Sequence, residues 1–286
     1  SHGKSTLLQH MMTGVQLYPG VSVLLDAEGT WERDRAVLMG HNSSRHIHLQ
    51  ADTVELGFSA LIATIRRMRM AGSRFPKDMP VGFFYDTLSA SQTDGEKEDD
   101  QYKDGMMDKA RKIRTFMRKI SLLLAQTNCF LVIANQQITK INNKGPAGKT
   151  TPGGNSVKFW ASKRLSVWSG SRMDYPEENT GIITSVRNVK DKIDPPNREI
   201  TLPIRYLTGV DPFYELLNFL IDNSSYVNKS STITVPDYPE PGEVFKLGYQ
   251  KQAAEKCTPE LMEYLKACAT EVWNTKFSGG KIINVK

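Results

Sequence analysis

Cysteine is scarce: Cys129, Cys257 and Cys268 are the three in 286 residues, an odd number without metal-ligand spacing. That count excludes a disulfide-stapled secreted scaffold and offers no zinc-ligand pattern, so a reducing, cytoplasmic compartment is the expectation. No apolar run is long enough to span a bilayer, the first residues form no basic-then-apolar leader, and no membrane partner is expected. His2, His10, His41, His46 and His48 also lack metal-ligand spacing and read as structural or surface residues. Internal repeats and low-complexity tracts are missing too. What remains is an ordinary globular composition, 39% hydrophobic and 24% charged, sufficient for one large core and a smaller module. The net charge of +6 and pI near 9.1 suit a polyanionic partner, but so modest an excess serves solubility equally well.

The first chemistry-bearing motif lies at residue 1. Ser1-His2-Gly3-Lys4-Ser5-Thr6 is the second half of the phosphate-loop pattern G-x-x-x-x-G-K-[ST], whose first glycine would precede the chain. In that pattern backbone N–H groups around Gly3 cradle phosphate oxygens, Lys4 reaches the β- and γ-phosphates, and Ser5 ligates Mg²⁺, with His2 and Thr6 completing the loop. The run Leu7 to Met12 reads as a helix starting at the loop, the context the motif requires. With no initiator Met, residue 1 is expected to be a truncation or processing point.

Residues 21 to 26 form a β-rich run ending in Asp26 and followed by Ala27-Glu28-Gly29. A helix near 32 to 39, a strand at 47 to 50 and a helix over 55 to 70 follow, the last with Arg66, Arg67 and Arg69 opposite its apolar positions. Residues 81 to 86 form a second apolar strand ending in Asp86, the strand-end carboxylate that holds a Mg²⁺ shell beside a phosphate loop. Residues 92 to 105 are too polar to bury and predict a mobile loop. The helix predicted over 106 to 126 is dense in cations: Lys109, Arg111, Lys112, Arg114, Arg118 and Lys119. Another buried strand, 130 to 135, leads into Gln136 and Gln137, and residues 139 to 155 again read as loop.

Strands alternating with helices, with each polar signature at a strand's C-terminal end, predict an α/β fold: a mainly parallel twisted sheet flanked by helices, with one site along that edge. Beyond Ile182 the pattern turns strand-rich, 184 to 190 and 198 to 206 forming a hairpin or adjacent strands. The stretch 215 to 222, a polar connector with Pro236, Pro239 and Pro241, and a last helix at 259 to 274 suggest a small C-terminal α/β module. The expected division is a core of residues 1–211 and a module of residues 212–286.

SHGKST, LLDAEGTW, FFYDTLSA, ANQQITKI, TTPGGNSVKFWAS, NVKDKIDPPNREI and LGYQKQAAEK occur in an order and spacing that resembles the bacterial RecA recombinases and their phage relatives over nearly the whole chain. TTPGGNSVKFWAS is the most specific of these. The resemblance implies a RecA-like P-loop ATPase core with ATP and Mg²⁺ as cofactors. It implies a recombinase that assembles as a helical homo-oligomer on single-stranded DNA and exchanges strands with double-stranded DNA, in a bacterial or phage-infected cytoplasm. Carried over by position, Glu28 activates the attacking water, Asp86 and Ser5 hold the metal shell with Thr87 beside them, and Gln136 senses the γ-phosphate. Lys190 and Lys192 match the lysines that enter the neighbouring subunit's ATP site. The family's DNA loops fall on residues 92 to 111 and 138 to 155. Arg111 and Arg118 match basic positions of the first, and Lys140, Lys144, Lys149, Gly153, Gly154 and Asn155 lie in or beside the second.

Three departures stand against the pattern. Asp94, Glu96, Glu98, Asp99, Asp100 and Asp104 make the first loop's tip repulsive to phosphate. Arg35 stands where the family has an aromatic over the adenine, although a guanidinium can also stack on a base. The family's helix and strand upstream of the phosphate loop precede residue 1, so a chain beginning at Ser1, as a fragment or a post-intein segment, is expected to be impaired in assembly and hydrolysis. Phe159 and Trp160 suit either core packing or a subunit contact. Two other functions remain open: a hexameric replicative helicase built on the same core, and a non-enzymatic ATP-binding assembly protein. TTPGGNSVKFWAS and the lysine pair weigh against the former, Glu28 and the second loop against the latter.

Overall fold

The computed structural model describes residues 3–98, 105–139, 149–151, 154–173, 181–193 and 195–276. From the phosphate loop the chain runs through α1 (Lys4–Leu17), β1 (Val21–Asp26), α2 (Arg33–Leu38), β2 (His46–Gln50), α3 (Val54–Arg69), β3 (Val81–Asp86), α4 (Asp94–Glu98), α5 (Gly105–Ala125) and β4 (Cys129–Ile133). The strands pair in parallel in the order β2-β1-β3-β4. β1 and β3 are buried at every residue, as parallel strands covered on both faces must be, which is why each reads as a continuous apolar run. Val23, Leu25, Phe83 and Tyr85 pack on Phe58, Leu61 and Ile65 of α3 and Ile113, Met117 and Ile120 of α5. Leu24 and Phe84, one residue out of phase, meet Leu8, Met12 and Val15 of α1 on the other face.

This order places a topological switch between β1 and β3: the chain leaves β1 toward β2 and β3 toward β4. A crevice therefore opens beyond the C-terminal ends of β1 and β3, where ligands bind in open α/β sheets. Asp26 and Asp86 are register partners at those two ends.

The predicted loop over 92 to 105 is corrected in part, because Asp94–Glu98 is helical. Thr93 Oγ1 accepts from Glu96 N at 3.2 Å while Glu96 Oε2 accepts from Thr93 N at 2.7 Å, a reciprocal capping box that the sequence Thr93-Asp94-Gly95-Glu96 spells out.

Downstream lie β5 (Ile138–Thr139), β6 (Lys149–Thr150), α6 (Gly154–Trp160), β7 (Lys163–Met173), β8 (Gly181–Asp191), β9 (Glu199–Arg205) and β10 (Gly209–Val210). A second sheet has the order β10-β9-β8-β7, with β8–β9 and β9–β10 antiparallel. The last described elements are α7 (Pro212–Asn223), β11 (Asn228–Lys229), β12 (Ile233–Pro236), β13 (Val244–Gly248), α8 (Gln250–Ala253) and α9 (Pro259–Lys276). Leu217, Leu220, Val235, Leu247, Leu261 and Leu265 centre the core of this part. Contacts group the chain into two compact units, Lys4–Leu165 with Asn188–Asn197, and Ser1–Gly3 with Ser166–Arg187 and Arg198–Lys286.

Asp211 starts α7. Its Oδ1 accepts from Phe213 N and Tyr214 N, both at 3.1 Å, and its Oδ2 accepts from Arg205 Nε at 2.7 Å. With Pro212 at the first helical position, this is a complete N-cap. Asp211→Ala is expected to lower stability by about 2 kcal/mol in urea unfolding, and Asp211→Asn by less, since its amide oxygen still caps.

Candidate functional site

Gly3 has φ +80, a backbone setting that L side chains resist, and α1 begins at the next residue. Lys4 and Ser5 thus stand in the first turn of a helix whose unpaired N–H groups and dipole favour an anion. Asp86, at the end of β3, is buried. Burial pushes its carboxyl pKa up, a hydrogen bond with the Ser5 side chain pulls it down, Glu28 and Asp26 raise it further, and Lys4 lowers it. Asp86 Oδ1 is buried without a hydrogen-bond partner. A buried carboxylate oxygen left over beside a serine hydroxyl is a hard-oxygen donor set that fits Mg²⁺. Among the described residues no three His, Cys, Asp or Glu side chains form a metal cage. Mg²⁺ normally takes one or two carboxylates plus phosphate and water, so a cage is not required.

Glu28 lies two residues beyond β1, and its Oε1 accepts from Thr87 Oγ1 at 2.8 Å. Thr87 also bonds Ser89 Oγ at 2.9 Å. The segment is pinned to the sheet, with Ala27 N donating to Asp86 O at 2.8 Å. Lys4, Ser5, Glu28, Asp86 and Thr87 therefore meet at the switch point.

Gln136 is exposed after β4, its N–H bonded to Asn135 Oδ1 at 3.0 Å. The chain before it is tied to the end of β3 through Ala134 N to Tyr85 O at 2.9 Å and Leu88 N to Ala134 O at 3.1 Å. Arg35 Nη2 donates to Thr6 Oγ1 at 3.0 Å, so its guanidinium is held at α1. Lys190 Nζ donates to the carbonyls of Lys158 at 2.8 Å and Phe159 at 3.0 Å in the last turn of α6. Its pKa is lowered by loss of solvent and by the charges of Lys192 and Arg164. Lys192 is exposed, with its backbone N–H bonded to Ser162 O at 3.1 Å.

The cations of α5 divide into two sets. Lys109 bonds the carbonyls of Ser89 and Ser91, and Lys112 pairs with Glu55 and Asp108, which hold its pKa well above the usual lysine range. Arg111, Arg114 and Arg118 point to solvent at helical spacing, as does the exposed Lys119, whose Nζ lies 6.0 Å from the Phe116 ring centroid. In the segment predicted as the second DNA loop, Gly154 opens α6 with φ +57, Asn155 is exposed, and Lys149 pairs through its backbone with Thr139. Trp160 packs against the main core, whereas Phe159 is 71% exposed. His2, Lys140, Lys144 and Gly153 lie outside the described residues.

Sequence reasoning missed Asp26, Trp31 and three histidines as neighbours of this site. Asp26 Oδ1 accepts from Gly29 N at 2.8 Å and Thr30 N at 3.4 Å, and Oδ2 accepts from Trp31 N at 3.1 Å. Trp31 stacks on His46 with ring centroids 4.8 Å apart, and His41 meets His46 edge-on at 4.7 Å. Burial and the neighbouring His41 and His48 push the pKa of His46 down to about 3.

The sequence matches the family described as the RecA N-terminal domain over residues 1–211. The chain belongs to the RecA family. Protein RecA of Paracoccus denitrificans is 29% identical over 232 residues, covering 81% of this chain and 62% of that protein. Protein RecA of Rickettsia canadensis is 32% identical over 222 residues, covering 76% of this chain and 61% of the relative. Protein RecA of Acholeplasma laidlawii is 30% identical over 230 residues, covering 80% and 66%. The chain thus spans less than two thirds of the length of these RecA relatives. A crystal structure of the RadB recombinase aligns over 73% of this chain and 84% of its own, at 14% identity and a TM-score of 0.49. The parallel sheet with its flanking helices is the RecA-like α/β P-loop core that the motifs predict.

Proposed function

We propose that this protein is a DNA-dependent ATPase of homologous recombination, assembling on single-stranded DNA and exchanging strands with a duplex. The observation that carries the reading is the 2.8 Å bond from Thr87 to Glu28, which holds a carboxylate beside the buried Asp86 and the phosphate-loop helix. Bound ATP with Mg²⁺ supplies the phosphoryl group and the countercharge for its transfer. Around it, Lys4 and the N–H groups following Gly3 hold phosphate oxygens, Ser5 and Asp86 offer hard-oxygen ligands, and Glu28 accepts the proton of an attacking water. Gln136 reports the γ-phosphate to the second loop, and Arg35, tied to Thr6, sits on the nucleotide side of α1. Residues 1–211 form the ATPase and DNA-binding core in this reading, and residues 212–286 the smaller domain.

The deciding experiment measures ATP turnover of the full-length protein with and without single-stranded DNA, alongside strand exchange between homologous substrates. Stimulation and exchange together are the expected result. DNA-independent turnover, or unwinding of a forked duplex without exchange, would overturn the proposal.

Solvent-facing Arg111 and Arg118, together with Lys149 and the Gly154-Asn155 turn, supply sequence-independent phosphate contacts in this reading. Arg111→Gln with Arg118→Gln is expected to weaken binding to every single-stranded sequence alike. The slope of log affinity against log salt should flatten by roughly 0.7 per lost phosphate contact. Lys112→Gln is the control: its ammonium is taken by Glu55 and Asp108, so the slope should hold.

A further inference from the structure

The segment that carries Glu28 is anchored from three directions, and none of those anchors belongs to the phosphate loop or the metal ligands. Asp26 takes the backbone N–H groups of Gly29, Thr30 and Trp31 on its two carboxylate oxygens, and its Oδ2 lies 3.5 Å from His48 Nε2 on β2. Gly29 adopts φ +68, which lets consecutive N–H groups converge on one carboxylate. Trp31 then closes the segment. Its Nε1 donates to Gln9 Oε1 on α1 at 3.2 Å, and its ring lies against His46 and His48 at centroid distances of 4.8 and 5.0 Å. His46 is itself fixed by a 3.0 Å contact between its Nδ1 and Ser22 Oγ on β1. Residues 28 to 30 are exposed and have little packing of their own, so their course depends on these end anchors.

We propose that Asp26 and Trp31 form a clamp that sets the position of Glu28, acting as positioning residues for ATP hydrolysis. The inference rests on the role of Glu28 in water activation proposed above. Thr87 fixes the Glu28 side chain at its tip, and the clamp fixes the backbone from which it projects. A displacement of about 1 Å at a proton acceptor costs on the order of 10²-fold in rate without touching substrate affinity. Loosening the clamp should therefore appear in kcat and not in nucleotide binding.

The test is a double-mutant cycle in the full-length protein at saturating Mg²⁺. Asp26→Asn keeps one acceptor oxygen of two and is expected to lower kcat by about 10-fold or more, with KM for ATP and ADP affinity within about 2-fold of the parent. In a Glu28→Gln background the same change should cost less than about 2-fold, because the group it positions is already gone. Trp31→Phe keeps a ring on His46 and loses only the bond to Gln9. It should follow the same pattern with a smaller loss, and it serves if Asp26→Asn does not fold, as judged by thermal unfolding. Equal losses in both backgrounds, or a rise in KM with kcat unchanged, would refute the clamp. Glu28→Gln with normal turnover would instead remove the role of Glu28 on which the clamp depends, and the cycle separates the two failures.

Discussion

Glu28→Gln is expected to bind ATP with near-normal affinity and to hydrolyse it about 10²-fold more slowly or worse, the usual scale for losing a positioned proton acceptor. The glutamine can still accept the bond from Thr87 Oγ1, so the local geometry should persist while the carboxylate is lost. Lys4→Ala should behave differently, weakening ATP binding itself, if the lysine meets phosphate in the ground state as well as the transition state, as proposed above. Equilibrium binding of a fluorescent nucleotide and steady-state turnover, measured on the same preparations, separate the two patterns. Turnover near the parent value in Glu28→Gln would remove the residue from the chemistry.

Lys190→Ala with Lys192→Ala should abolish most DNA-stimulated turnover, by about 10²-fold or more, if the pair stabilises the transferred phosphoryl group across a subunit boundary. The ammonium of Lys190 here caps the last turn of α6 through the carbonyls of Lys158 and Phe159. A trans role requires it to leave that turn. Mixing the double variant with Glu28→Gln protein should then restore part of the turnover, at interfaces combining an intact half from each. Neither parent alone should hydrolyse well. Absence of rescue in assemblies shown by labelling to be mixed would assign the lysines to their own subunit. Thermal unfolding supplies the control: loss of a solvent-side helix cap costs about 1 kcal/mol or less, too little to explain such a fall in rate.

The parallel core was legible in the sequence because its signals are local. Val21–Asp26 and Val81–Asp86 are strands at the bounds their apolar runs predict, since a strand covered on both faces has no polar alternation to blur its ends. The helices at 55 to 70 and 106 to 126 shift by one residue to Val54–Arg69 and Gly105–Ala125, their apolar spacing being set by the same sheet face. The phosphate-loop residues and the strand-end carboxylates announced their own positions, and the order of strands brought them together at one edge. The capping box at Thr93 was written in the sequence as well, but the acidity around it masked the short helix.

Tertiary structure decided the rest. Which α5 cations are spoken for depends on Glu55, Ser89 and Ser91, remote in sequence from Lys112 and Lys109. Whether three histidines without ligand spacing matter depends on β2 lying beside β1, where His46 and His48 meet Trp31 from the loop after β1. Asp26 and Asp86 look alike as strand-end carboxylates. They diverge because one faces the converging N–H groups of its own loop while the other keeps a buried oxygen unpartnered beside Ser5. Periodicity records which face a residue takes; only the folded sheet, by bringing distant segments within hydrogen-bonding distance, determines which partner it finds there.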